Sequence, residues 1–159
     1  MNDQLALGVV WREVARRSER SNRGTELGAA LARIAAGIAE DVATFEQLME
    51  RLGISRSRVK PSLALVAERL GRLKLNGRVR EYSPLSRFAE LDVLAMGLEG
   101  KKILWANLRD LAGVGERLPD VDFDHLIERA ASQRAELEPF RVRAGREALG
   151  GRAVDPAGP

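Results

Sequence analysis

Cysteine is missing from this chain altogether. That single absence excludes a disulfide framework, a thiolate nucleophile, an iron-sulfur cluster and any cysteine-ligated zinc. Histidine is almost as scarce: His125 stands alone, so a histidine-rich metal centre is excluded and a Ser-His-Asp constellation has little to build on. A GxxxxGK phosphate loop is also lacking, because Gly113-Val114-Gly115 follows a helical pattern and not a strand. Aromatic residues make up only 4% of the sequence. The longest uncharged apolar run is about ten residues, well short of the ~20 that a membrane span needs. Residues 1–10 have no positive leading region, and Arg12 and Glu13 end the apolar stretch before it could serve as a signal peptide. These absences lead us to expect a cytoplasmic protein without a cofactor and without catalytic machinery.

What is present is alanine, leucine, glutamate and arginine in helical rhythm, over a length of 159 residues that suits one domain. Leu27, Leu31, Ile34, Ile38, Val42, Phe45, Leu48 and Leu52 alternate spacings of four and three and predict a helix over 25–53. Thr25 and Asn22 can cap its start, and Gly53 can take the left-handed conformation that ends it. Leu7, Val10, Trp11 and Val14 form a stripe on a shorter helix over 3–20, and the four-residue turn between the two implies antiparallel neighbours. Val59, Leu63, Val66, Leu70 and Leu73 predict a third helix over 58–76. Ser83-Pro84 reads as an N-cap followed by proline in the first helical position and opens a helix over 84–112, with the seam Phe88, Leu91, Leu94, Ala95, Leu98, Trp105, Leu108 and Leu111. Gly97 and Gly100 interrupt it and suggest close approach of another backbone. A loop with Pro119 then leads to a helix over 123–149, whose start is crowded by Asp120, Asp122 and Asp124. Gln133 and Arg134 break its seam, and Pro139 is expected to kink or open it. Residues 150–159 show no periodicity and are expected to be disordered.

The fold class is therefore all-α, a single domain over 1–149. Two hairpins, 3–53 and 84–149, joined by about 30 residues, suit an up-down four-helix bundle with one long crossover that carries an extra short helix. The helix lengths, the loop positions and segments such as Val42-Ala43-Thr44-Phe45-Glu46-Gln47-Leu48-Met49-Glu50-Arg51-Leu52-Gly53 resemble the ferritin-like superfamily, in particular its bacterial members with a short first helix. The resemblance implies a di-iron centre with one Glu on each of two helices and Glu-x-x-His on the other two. Here the second helix offers Ile34-Ala35-Ala36-Gly37-Ile38-Ala39-Glu40, and the last offers Gln133-Arg134-Ala135-Glu136. Glu99 and Glu13 fall about where the remaining ligands belong. Glu13, Glu40, Glu99 and Glu136 are thus relic candidates of a metal site whose histidines are gone.

Charge is unevenly spread. The net charge is +3, yet residues 51–80 hold Arg51, Arg56, Arg58, Lys60, Arg69, Arg72, Lys74, Arg78 and Arg80 against Glu68 alone, a local balance of +8. This basic segment is a candidate anion- or partner-binding surface for an acidic protein, a nucleic acid backbone or an anionic lipid; it is equally readable as a solvated face. Residues 45–59 look like a helix-turn-helix with glycine in the turn, but Pro61 falls inside the second helix of such a motif. Asp92, Glu99 and Lys102 border a seam, either as an acidic pocket or as a set in which Glu99 pairs with Lys102 at i, i+3. His125 in the first turn of the last helix reads as structural or incidental. The function expected is that of a non-catalytic helical bundle acting through protein contacts, with copies of itself or another protein as the partner. Two alternatives are a nucleic-acid-associated protein using 51–80 and a carboxylate-rich metal-binding protein using Glu13, Glu40, Glu99 and Glu136.

Overall fold

Residues 1–55 and 83–150 are described in the computed structural model, and every regular element among them is α-helical. Four helices are long: α1 (Asn2–Ser21), α2 (Glu26–Arg51), α3 (Pro84–Asp110) and α5 (Phe123–Leu149); α4 (Val114–Arg117) is a single turn between the last two. The helix expected over 58–76 and the tail beyond residue 150 lie outside the described residues.

The ends follow local chemistry. Thr25 Oγ1 accepts from Gly28 N at 3.0 Å, Ser83 Oγ from Ser86 N at 3.1 Å and an Asp122 carboxylate oxygen from His125 N at 2.8 Å. Each satisfies an amide that the first helical turn leaves without a partner. Gly53 takes the expected left-handed conformation at φ 69°, and Ile54 N then donates back to Met49 O at 2.9 Å, which closes α2. Asn22 does not cap α2 as expected; its side-chain amide donates to Ser18 O at 2.7 Å and closes α1 instead. α3 stops at Asp110, two residues early, and Leu111 is 80% exposed, outside the seam it was assigned to. Pro139 does not interrupt α5, which is continuous from Phe123 to Leu149.

Contacts fix the directions. Asn2 Nδ2 reaches Ser55 O at 3.3 Å, so α1 and α2 are antiparallel. Arg141 binds Asp92 at 2.9 Å near one end of the α3–α5 pair, and Arg109 binds Asp124 near the other, so these two are antiparallel as well. Arg17 meets Glu90 at 2.9 Å across α1 and α3, while Arg33 Nε meets Glu136 at 2.8 Å and Arg51 meets Asp120 at 2.6 Å across α2 and α5. It follows that α2 and α3 run the same way, and that Leu52 and Ser83 lie at opposite ends of the helices.

The predicted seams form the core. Leu31, Ile34, Ile38, Val42, Phe45 and Leu48 of α2 are buried with Leu91, Leu94, Leu98, Trp105 and Leu108 of α3 and with Phe123, Leu126 and Leu137 of α5. Phe45 and Phe123 flank the Trp105 ring at centroid distances of 5.8 and 6.4 Å, tilted in each case, an arrangement that suits the ring quadrupoles.

Gly97 does allow a close approach, but of a side chain: a Cβ there would lie 2.6 Å from Trp11 Cδ2 of α1. Gly100, three residues on, faces open space. Alanine at these two sites should therefore act in opposite directions. Gly97→Ala is expected to destabilise by about 1–2 kcal/mol, because displacing the indole outweighs the gain in helix propensity. Gly100→Ala should stabilise by up to ~1 kcal/mol, since only propensity changes. Urea denaturation of both variants checks the pair.

Candidate binding cavity and its buried ion network

The seam of α3 steps seven positions from Leu98 to Trp105, and Lys101 fills the gap. Asp41 sits likewise between Ile38 and Phe45 on α2, and Gln133 between Ala130 and Leu137 on α5. All three positions face inward, and the helices bring them together. Lys101 Nζ donates to Asp41 Oδ2 and to Gln133 Oε1, while Arg129 donates to Asp41 Oδ1 and, at 3.0 Å, to Glu40 Oε2. The Asp41 side chain is 4% exposed and that of Lys101 12%. Two cations thus balance two anions in a chain linking three helices. Gln133 does not break the α5 seam as expected; it stays buried in it, and Gly37 makes the space, since a Cβ on Gly37 would clash with the Gln133 amide.

Burial pushes the Lys101 amine below its ordinary pKa, and the pull of Asp41 in the other direction only partly offsets this. Ion pairs of this kind lose solvation that their attraction barely repays, but removing one partner leaves the other stranded.

Beside the network lies a cavity of about 290 Å³ between α1, α2 and α3, with Asp41 and Lys101 in its wall. Trp11, Phe45 and Trp105 give it aromatic surface, and the exposed Met96 and Gly100 mark its mouth. An apolar enclosure with a few fixed polar groups is the usual form of a small-molecule site. Sequence reasoning missed it. The signal available was a lysine and an aspartate, each at a seam register where an apolar residue was due.

The four carboxylates named as relics are not gathered. Glu13 pairs with Arg12 and Arg16 at 3.4 Å each, Glu40 with Arg129 at 3.0 Å, Glu99 with Lys102 at 2.6 Å and Glu136 with Arg33 at 2.5 Å. Among the described residues, no three of His, Asp and Glu are grouped so as to hold a metal ion. The pairing of Glu99 with Lys102 at i, i+3 is the one anticipated, and Asp92 is held by Arg141 on the neighbouring helix. Arg141 also joins Arg134 on Glu138, and their hydrogen bonds hold that carboxyl down to about 2. His125 is exposed, its backbone amide bound by the Asp122 cap.

Of the basic segment, Arg51 binds Asp120 in a two-pronged pair at 2.6 and 2.9 Å, which raises its pKa. Arg56, Arg58, Lys60, Arg69, Arg72, Lys74, Arg78 and Arg80 lie outside the described residues, as does the second half of the helix-turn-helix reading. No helix among the described residues is long and apolar enough to cross a membrane. No family model matches the chain, and neither a curated protein nor a solved structure is significantly similar to it.

Proposed function

We propose that the chain is a ferritin-like four-helix bundle that works by non-covalent binding and not by catalysis, and that the cavity between α1, α2 and α3 is where it binds. The order and directions of α1, α2, α3 and α5, with α2 and α3 parallel, support a bundle with a single long crossover. The observation that carries the binding reading is the cavity itself, an aromatic-walled space of about 290 Å³ against a self-satisfied ion network. Asp41 has both oxygens engaged and Lys101 is held between two acceptors, so neither is poised as a free base or nucleophile.

Both tryptophans of the chain, Trp11 and Trp105, stand in the cavity wall, so their two indole N–H signals in a nitrogen-15 spectrum report on occupancy. Titration with toluene, a neutral apolar probe, should move both signals saturably, with a Kd at or below about 1 mM. Gly100→Leu, which places bulk at the mouth where a Cβ meets nothing, should weaken this binding at least about tenfold. Unmoved indole signals in the wild-type protein at saturating toluene would end the binding reading.

A second reading, contact with another copy of the chain, is favoured by Met96 and Ile103, which are 66% and 51% exposed and seven residues apart on one face of α3. Light scattering should then show a dimer or larger assembly that Met96→Glu with Ile103→Glu dissociates; a wild-type monomer at all concentrations rejects it.

A further inference from the structure

Helix α3 is apolar on two sides. One side is the core seam; the other is an outer stripe of Leu85, Ala89, Met96 and Ile103 at helical spacing, with Gly100 beside it. Leu85, Met96 and Ile103 are three of the five large apolar side chains left exposed among the described residues, so most of that surface gathers on one face of one helix. A helix with apolar residues on both sides is ordinarily covered on both.

The ends of the neighbouring chain say what passes here. Residues 56–82 join Ser55 to Ser83, and these two lie at opposite ends of the helices, so the 27 residues between them have the length of α3 to travel, about 40 Å. Both ends of that path are at α1. Ser55 O accepts from Asn2 Nδ2 at the start of α1, and Glu90, two turns into α3, binds Arg17 and Ser18 near the end of α1. The helix expected over 58–76 would itself cover about 28 Å, and the two residues before it and six after it can bridge the remainder but leave no length for a wide detour.

We propose that the outer stripe of α3 is the docking face for residues 58–76 of the same chain, laid antiparallel on it with Val59, Val66 and Leu73 against Ile103, Met96 and Ala89. Both sets are spaced by seven, so three successive pairs stay in register, as in a helical hairpin whose connection is 77–83. Charge agrees with this. Asp92, Glu99 and Asp110 follow one flank of the stripe, each half-exposed beside a cation of its own, while 58–76 brings Arg58, Lys60, Arg69, Arg72 and Lys74 against Glu68 alone. A second copy of the chain competes for the same face, and the cavity reading stands or falls separately.

Because the chain has no cysteine, an introduced pair can bond only within itself or to another copy. Val66→Cys with Met96→Cys, oxidised at micromolar concentration, should form an intrachain disulfide at least about tenfold faster than Val66→Cys with Ala36→Cys, whose second position is exposed on α2. Equal rates, a faster Ala36 pair or a disulfide formed mainly between chains overturns the docking, and the last of these, with a wild-type dimer in light scattering, gives the face to a second copy. Hydrogen exchange supplies a second measurement on the full chain. Amides of Leu63, Val66 and Leu70 should exchange at least about tenfold faster in Met96→Glu with Ile103→Glu than in the wild type, with those of α2 unchanged. Exchange at these three residues that ignores the double substitution overturns the inference even where the disulfide forms.

Discussion

Asp41→Ala should cost about 3–5 kcal/mol of stability, more than any surface ion pair in the molecule, because it strands the ammonium of Lys101 in the interior. Asp41 is buried and Lys101 largely so, and the remaining neighbour of Lys101, the Gln133 amide oxygen, carries no charge. Arg129, nearer the surface, still has Glu40 and suffers less. Adding Lys101→Met to Asp41→Ala should recover part of the loss, since the stranded charge is then gone; the double-mutant cycle measures the coupling directly. Full additivity of the two single losses would show that the pair does not interact as its geometry implies.

The same variant makes a pH prediction. Burial lowers the Lys101 pKa in the folded protein, so between that value and 10.5 the unfolded chain binds more protons than the folded one. The contribution of Lys101 to stability therefore rises with pH across this alkaline window and falls as the pH is lowered through it. Removing Asp41 takes away the attraction that had held the pKa up, which widens the window. The deficit of Asp41→Ala against wild type should be visibly smaller at pH 10 than at pH 7, as read by denaturant titration at both.

Trp105→Ala should cost a comparable amount, about 3–5 kcal/mol, or on the order of 10 °C in Tm for a chain of this size. Trp105 sits where α2, α3 and the start of α5 meet, packed between Phe45 and Phe123, and its loss opens a void that three helices must share. Trp105→Phe should lose under about 2 kcal/mol, because it keeps a ring at the site and also removes the unpaired indole donor. Differential scanning calorimetry separates the two. An alanine variant as stable as the phenylalanine one would mean that the site collapses freely and that the ring is not a keystone of the core.

Much of the helical framework could be read from residue order. The alternation of threes and fours from Leu27 to Leu48 places every one of those side chains in the core, because a helix turns once in 3.6 residues whatever it packs against. Thr25, Gly53, Ser83 and Pro84 act at the helix ends as their chemistry requires, since capping depends only on atoms a few residues away. The errors came where a neighbour in space decides. By spacing alone Gln133 breaks a seam, but in the fold it has Lys101 to bind and Gly37 to lie against, both more than thirty residues distant and on other helices. Leu111 was placed in a seam that α3 no longer continues. Glu13, Glu40, Glu99 and Glu136, read as relics of a metal site whose histidines are gone, each pair with basic side chains of their own.

Sequence by itself determined that this protein is built of long helices, where most of them begin and end, and which stripe of each turns inward, because period and caps are properties of neighbouring residues. Tertiary structure alone decided that the lysine in the α3 gap meets the aspartate of α2 and the glutamine of α5, that Trp11 lies on Gly97, and that an apolar space remains between three helices. Those features arise from the distance and rotation between helices, which set whether two inward-facing groups touch, and neither quantity is written in the spacing along any one of them.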